Sequence, residues 1–170
     1  YRYHHLFADL LRLELRRTAP ATIPSLHCAA AAWHEQEGDV VEAVRHHQAA
    51  GDWAPAARLL LDNYLTLTMA GRGETLHALL GVFPAEAHLS DGNLAAALAI
   101  DSILHGALDA AAAQLHVARR LATAAPPDRR RVFDVYLAVV EVELARRRND
   151  LPKAQDAMRG LEAALGATAR

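Results

Sequence analysis

Apolar residues recur at steps of three and four along most of this chain, and polar breaks divide them into segments of helical length. Leu6, Leu10 and Leu13, flanked by Phe7, Leu11 and Glu14, predict a first helix over 4–17, with Tyr1 to Tyr3 as the end of a strand. A connection containing Pro20 comes next, and Pro24 suits the first turn of a second helix reaching Glu37. A third helix is expected over 40–50. A fourth starts at Trp53 and carries Trp53, Ala57, Leu60, Tyr64 and Leu67 on one stripe, Leu61 and Leu65 on another. Apolar residues on two faces call for neighbours on two sides. Gly71 and Gly73 interrupt the pattern, and a shorter helix with Leu76, Leu79, Leu80 and Phe83 ends before Pro84. A cap at Ser90 or Asp91 then opens a hairpin over 94–105 and 108–124, closed by Pro126-Pro127. A second hairpin spans 128–148 and 152–165.

The breaks repeat. Gly38-Asp39 and Gly51-Asp52, thirteen residues apart, each join a residue able to adopt the left-handed helix-ending conformation to one able to cap the next helix by accepting from its free amides. Weaker echoes stand at Gly106-Ala107-Leu108-Asp109 and Asn149-Asp150, where Asn replaces Gly. Gly38 and Gly106 are 68 residues apart, twice a 34-residue period, and Asn149 stands 43 further on. Periods of this size predict an all-α fold, a solenoid of helical hairpins wound as a right-handed superhelix. Such a scaffold binds or holds rather than catalyses.

Composition supports helices. Apolar residues make up 52% of the 170, but aromatics only 5%, so the apolar content is mostly Ala and Leu. A net charge of −2 and pI near 6.6 give no overall drive toward nucleic acid. No run approaches the roughly 20 apolar residues that span a bilayer, and no signal-peptide pattern opens the chain. The single Cys28 excludes an internal disulfide and, in an Ala-rich run, reads as a small buried residue in a reducing, cytoplasmic setting. Because the sequence opens at Tyr1 and runs out after a helix, it reads as part of a longer protein with further repeats beyond Arg170.

The Gly-Asp-x-x-x-Ala run at 38–43, with His47 and Ala50, resembles the second helix of a tetratricopeptide repeat. A more specific pattern runs through Tyr1-Arg2-Tyr3-His4-His5-Leu6-Phe7-Ala8-Asp9-Leu10-Leu11-Arg12, Leu26-His27, Ala31-Ala32-Trp33, Glu42-Ala43-Val44, His46 and Ala49-Ala50-Gly51-Asp52-Trp53. It is similar to the large ATP-binding LuxR-type transcriptional regulators of the maltose-regulator kind, densely over residues 1–84. That resemblance implies that 1–17 ends a winged-helix domain, that 18–88 forms the first hairpins of a tetratricopeptide-like arm, and that 89–170 continues it. It further implies a nucleotide-binding domain holding ATP or ADP upstream, a DNA-binding helix-turn-helix downstream, and an autoinhibited state released by an inducer. Within these residues no cofactor, membrane contact or direct nucleic-acid contact is expected. No Gly-x4-Gly-Lys phosphate loop can be written, since the only lysine is Lys153, and no recognition helix appears. The implied partners are a small-molecule inducer or a protein, and the protein's own nucleotide-binding domain. The principal rival is a stand-alone tetratricopeptide adaptor holding a peptide.

Candidate chemistry is sparse. Ten histidines invite a metal, but no two lie three or four residues apart on a helix, and the adjacent His46 and His47 point in different directions. Only His27 and His34, seven apart, can share a face, so no metal ligand is assigned. Asp101, Ser102 and His105 place acid, hydroxyl and imidazole close in sequence without the strand-turn-helix setting of a nucleophile, and no catalytic residue is assigned. Trp33 and Trp53 read as seals between hairpins, and Arg129-Arg130-Arg131 as a solvated first turn. The tetratricopeptide resemblance implies a concave groove lined two, three and six residues before each break. Those positions fall on Gln36, Glu35 and Ala32, on Leu104, Ile103 and Ile100, and on Arg147, Arg146 and Glu143.

Overall fold

The computed structural model describes residues 5–166 and, within them, all side chains but those at 5, 6, 8, 127, 128, 163 and 164. The strand end expected at Tyr1 to Tyr3 lies outside the described residues. All regular structure among them is helical: α1 (His5–Thr18), a 3-10 turn (Pro20–Thr22), α2 (Ile23–Glu37), α3 (Val40–Ala50), α4 (Trp53–Met69), α5 (Gly73–Leu80), α6 (Ala87–Ser90), α7 (Gly92–Leu104), α8 (Leu108–Ala122), α9 (Pro127–Arg147) and α10 (Leu151–Gly166). The chain divides into two compact units, with the boundary between Ala56 and Ala57.

Five helix ends share one closure. At Gly38, Gly51, Gly71, Gly106 and Asn149 the backbone turns to φ between 56° and 77°. In each case the amide of that residue donates to the carbonyl three back, and the next amide to the carbonyl five back. Gly38 donates to Glu35 at 3.2 Å and Asp39 to His34 at 2.9 Å, while Asn149 donates to Arg146 at 3.1 Å and Asp150 to Ala145 at 2.9 Å. This pair of bonds satisfies carbonyls the helix leaves open and fixes the direction in which the chain departs. The residues after the closure differ. The carboxylates of Asp39 and Asp150 accept from the amides of Glu42 and Lys153, as N-caps do. After Gly106 the cap position is held by Ala107, which offers no acceptor, and Asp109 binds Arg148 instead. The acid there comes two residues too late to cap.

In the first unit α2 packs on α3 around Ala31, Val41, Ala43 and Val44, all at most 1% exposed. Leu10, Leu11 and Leu13 of α1 stay more than half exposed. The second unit is organised by α7, which packs against α5, α6, α8 and α9. Ala95, Ala96, Ala97 and Ala99 are fully buried on it, and their small side chains let neighbours approach. At its first turn a Cβ on Gly92 would stand 3.3 Å from both Leu121 Cβ and Phe133 Cζ. The largest buried residues, among them Leu60, Leu61, Leu76, Leu80 and Leu94, each contribute about 2–3 kcal/mol of apolar burial.

Several residues sit differently from expectation. Trp33 does not seal a hairpin: it is 56% exposed and meets only His34 edge-on among the described ring contacts. Cys28 is half-buried rather than buried. Leu65 of the second α4 stripe faces outward at 64% exposure while Leu61 is enclosed. The helix expected to reach Phe83 ends at Leu80, because Gly81 begins a turn in which Phe83 donates to Leu80. Arg129 is not a solvated residue: it pairs with Asp62 at 2.9 Å and donates to Asn93 at 2.9 Å, joining α9 to α4 and α7.

Because nothing lies within 4 Å of a Cβ built on Gly38 or Gly51, substitution there is opposed by backbone conformation alone. Gly51→Ala is expected to cost about 1–2 kcal/mol in urea denaturation. Gly51→Asn should cost clearly less, since Asn149 already occupies the same conformation.

Candidate functional site

The second unit holds an apolar cleft of about 540 Å³ between α4, α7 and α9. Its walls follow from helical spacing. Tyr64, Leu65 and Thr68 present one turn of α4, and Ile100, Ile103 and Leu104 one turn of α7. On α9, Val132, Val135, Tyr136, Val139 and Val140 recur at steps of three and four. Ile103 and Val140 are buried, whereas Leu65, Leu104 and Val139 are 64%, 47% and 47% exposed, so the cleft opens to solvent along apolar edges. Arg131 and Glu143 are its charged members.

The polar back of the cleft is Tyr64 and the groups it binds. The Tyr64 ring is 2% exposed and its hydroxyl donates to Asp101 Oδ1 at 3.3 Å. Asp101, itself 7% exposed, places Oδ2 2.8 Å from His77 Nδ1, and His105 Nδ1 lies 3.5 Å from Oδ1 and 2.9 Å from the Asp101 carbonyl. Burial is the first cause, and the Asp101 charge the second, of a Tyr64 pKa raised far above its ordinary value. His77 is raised as well, first by its hydrogen bond to Asp101 and then by that charge. A buried carboxylate thus ties α4, α5 and α7 together behind the apolar wall.

Of the nine groove positions expected from sequence, Ile100, Ile103, Leu104 and Glu143 line this cleft, while Ala32 is exposed in the first unit. Arg146 and Arg147 do not line it, yet both donate to Glu143 at 2.8 Å. These bonds hold the Glu143 carboxyl at a pKa of about 2, with burial opposing them. Glu35 and Gln36 belong to the first unit, where Glu35 Oε1 lies 2.9 Å from His47 Nε2 and Gln36 is exposed. The α9 wall is not legible in the sequence, because its valines read as one face of a long helix with nothing to show that face left open. The Asp101 cluster escapes a search for histidine pairs alone. The Asp-x-x-x-His spacing at 101–105 carries part of its signal, but no local pattern announces the arrival of His77 from α5.

In the first unit, His27 Nδ1 and His46 Nδ1 approach to 2.8 Å, and the His34 ring stacks on His46 at 5.3 Å. His46 and His47 do diverge, the latter toward Glu35 and Asp52.

No protein-family model matches the chain, and no solved structure matches it. It is similar to serine/threonine-protein kinase PknK of Mycobacterium tuberculosis and of Mycobacterium bovis, 34% identical over 149 residues. The match takes in 84% of this chain but spans only 13% of the length of these curated relatives.

Two pH dependences arise from these contacts. The His46 pKa is lowered below 6.5, first by burial and then by repulsion from His27 and His34, with Glu42 opposing. The unfolded chain therefore binds more protons below pH 6.5, and the first unit should lose stability as pH falls through that value. His46→Phe should flatten the dependence in thermal melts recorded from pH 7.5 to 5. Glu143 behaves as a depressed acid: its contribution is full above pH 4.5 and is lost as pH falls toward about 2. Carbon-detected NMR titration should place its midpoint near the lower value, and Arg147→Ala should raise it.

Proposed function

We propose that this chain is a non-enzymatic sensor and scaffold region of a longer ATP-dependent LuxR-type regulator, and that the α4–α7–α9 cleft receives its inducer. The observation that carries the proposal is the cleft itself. At about 540 Å³ it falls in the size range of small-molecule sites, and its lining is apolar apart from a few polar groups, as such sites are. The ligand class it suits is a compact, largely apolar molecule with one group able to pair with Arg131 at the charged edge. A cytoplasmic setting and an upstream nucleotide-binding domain belong to the same reading.

Two further observations support it. The similarity to 13% of a much longer protein is compatible with a region working inside a larger assembly. The exposed Leu10, Leu11 and Leu13 of α1 offer an apolar face that a winged-helix body would cover. Among the described residues no helix is long and apolar enough to cross a membrane. The rival, a stand-alone adaptor, would use the same groove for a peptide; a volume of about 540 Å³ favours the smaller ligand.

Screening the purified chain against apolar small molecules by thermal shift should yield binders whose affinity falls at least about tenfold in Leu104→Glu or Val139→Glu. Both side chains are already half exposed, so the variants should keep wild-type circular dichroism. Binders indifferent to both changes would refute the cleft. Reading the coding sequence on either side tests the regulator assignment separately: a phosphate-loop motif upstream and a helix-turn-helix downstream are expected.

A further inference from the structure

Among the described residues, one group of three potential metal-binding side chains brings its donor atoms together: His77, Asp101 and His105, all within 4.8 Å of one another. Only two backbone segments build it. Asp101 on α7 and His105, the residue that caps its C-terminus, stand one turn apart on one side, and α5 packs on α7 with His77 directed at the same carboxylate. The imidazole centroids lie 4.4 Å apart. Satisfying the Asp101 carboxylate does not need both histidines, since Tyr64 and His77 already supply a partner to each oxygen. His105 is not needed by the carboxylate: its Nδ1 meets the Asp101 backbone carbonyl at 2.9 Å, and its ring lies against that of His77.

We propose that His77, Asp101 and His105 form a zinc site, two imidazoles and one carboxylate on one face of the ion, with the remaining positions open to water. The donor set suits zinc, which takes imidazole nitrogen at about 2.0–2.1 Å and carboxylate oxygen at about 2.0–2.2 Å. The two histidine side chains are 55% and 42% exposed, which leaves their rings room to turn toward an ion, while Asp101 is held by Tyr64. Tyr64 is the supporting partner, orienting the ligating carboxylate by its hydroxyl. The same exposure leaves water access to the open positions. The ion would lie behind the cleft wall, linked to it through the Tyr64 ring.

The test is isothermal titration of the chelator-treated 170-residue chain with zinc chloride at pH 7.5, backed by metal analysis after gel filtration. About one zinc per chain is expected, with affinity at least about tenfold weaker in His77→Ala and in His105→Ala. His77→Ala also removes a partner of the buried Asp101 carboxylate, so circular dichroism verifies that both variants fold, and His105→Ala, which leaves that partner in place, keeps the proposal testable. His27→Ala, which removes a donor from the other close histidine pair, should bind zinc as the wild type does. Failure of the wild type to take up zinc would overturn the proposal. So would binding unaltered in both the His77 and His105 variants, or binding lost in His27→Ala alone.

Discussion

Each of five helices in this chain ends by giving its last carbonyls two amide donors from a residue with positive φ and from the residue after it. Open carbonyls and amides at helix ends are costly when taken from water, and a chain that reverses this often must satisfy them at every turn. The left-handed closure does so within two residues. It also sets where the next helix starts, and so which faces of α2 and α3, or of α7 and α8, can meet. Core packing in both units depends on that constraint, because the apolar stripes face one another only if the turns keep their geometry.

Within the second unit, the helices are held around a buried charge. Asp101 sits in a largely apolar helix that buries several alanines fully, where an unpaired carboxylate would be strongly destabilising. Tyr64 and His77 supply its hydrogen bonds, and in doing so they fix α4 and α5 against α7. The Asp62–Arg129–Asn93 link does the same for α9. With the helices tied at these polar points, the valine face of α9 need not close on α4 and α7 to hold the unit together. The space between them stays open as the cleft.

The charged end of the cleft shows how a residue's place on a helix becomes its chemistry. Glu143 stands three and four residues before Arg146 and Arg147, so both guanidiniums reach one carboxylate. The Glu143 carboxylate is neutralised within this cluster. Arg131, on the same helix, is left as the charged residue at the cleft with the opposite sign.

Helix positions, the breaks at Gly38, Gly51, Gly106 and Asn149, and the divergence of His46 and His47 are legible from the sequence, because propensity, capping and 3.6-residue spacing act locally. Gly71 is legible as a break but not as the same closure, since no acid stands next to it. Ile100, Ile103, Leu104 and Glu143 can be picked out by register against the breaks. Which apolar face stays open cannot, because burial depends on the neighbours that pack there: Leu61 is enclosed and Leu65 exposed, although both belong to one stripe. Nor can the meeting of His77 with Asp101 and His105 be read, for it joins residues 24 or more apart through the packing of α5 on α7. The sequence determined the helices and their turns by local hydrogen bonding. Only the tertiary structure decided the cleft and the convergent donors, because both are made of side chains that meet across helices.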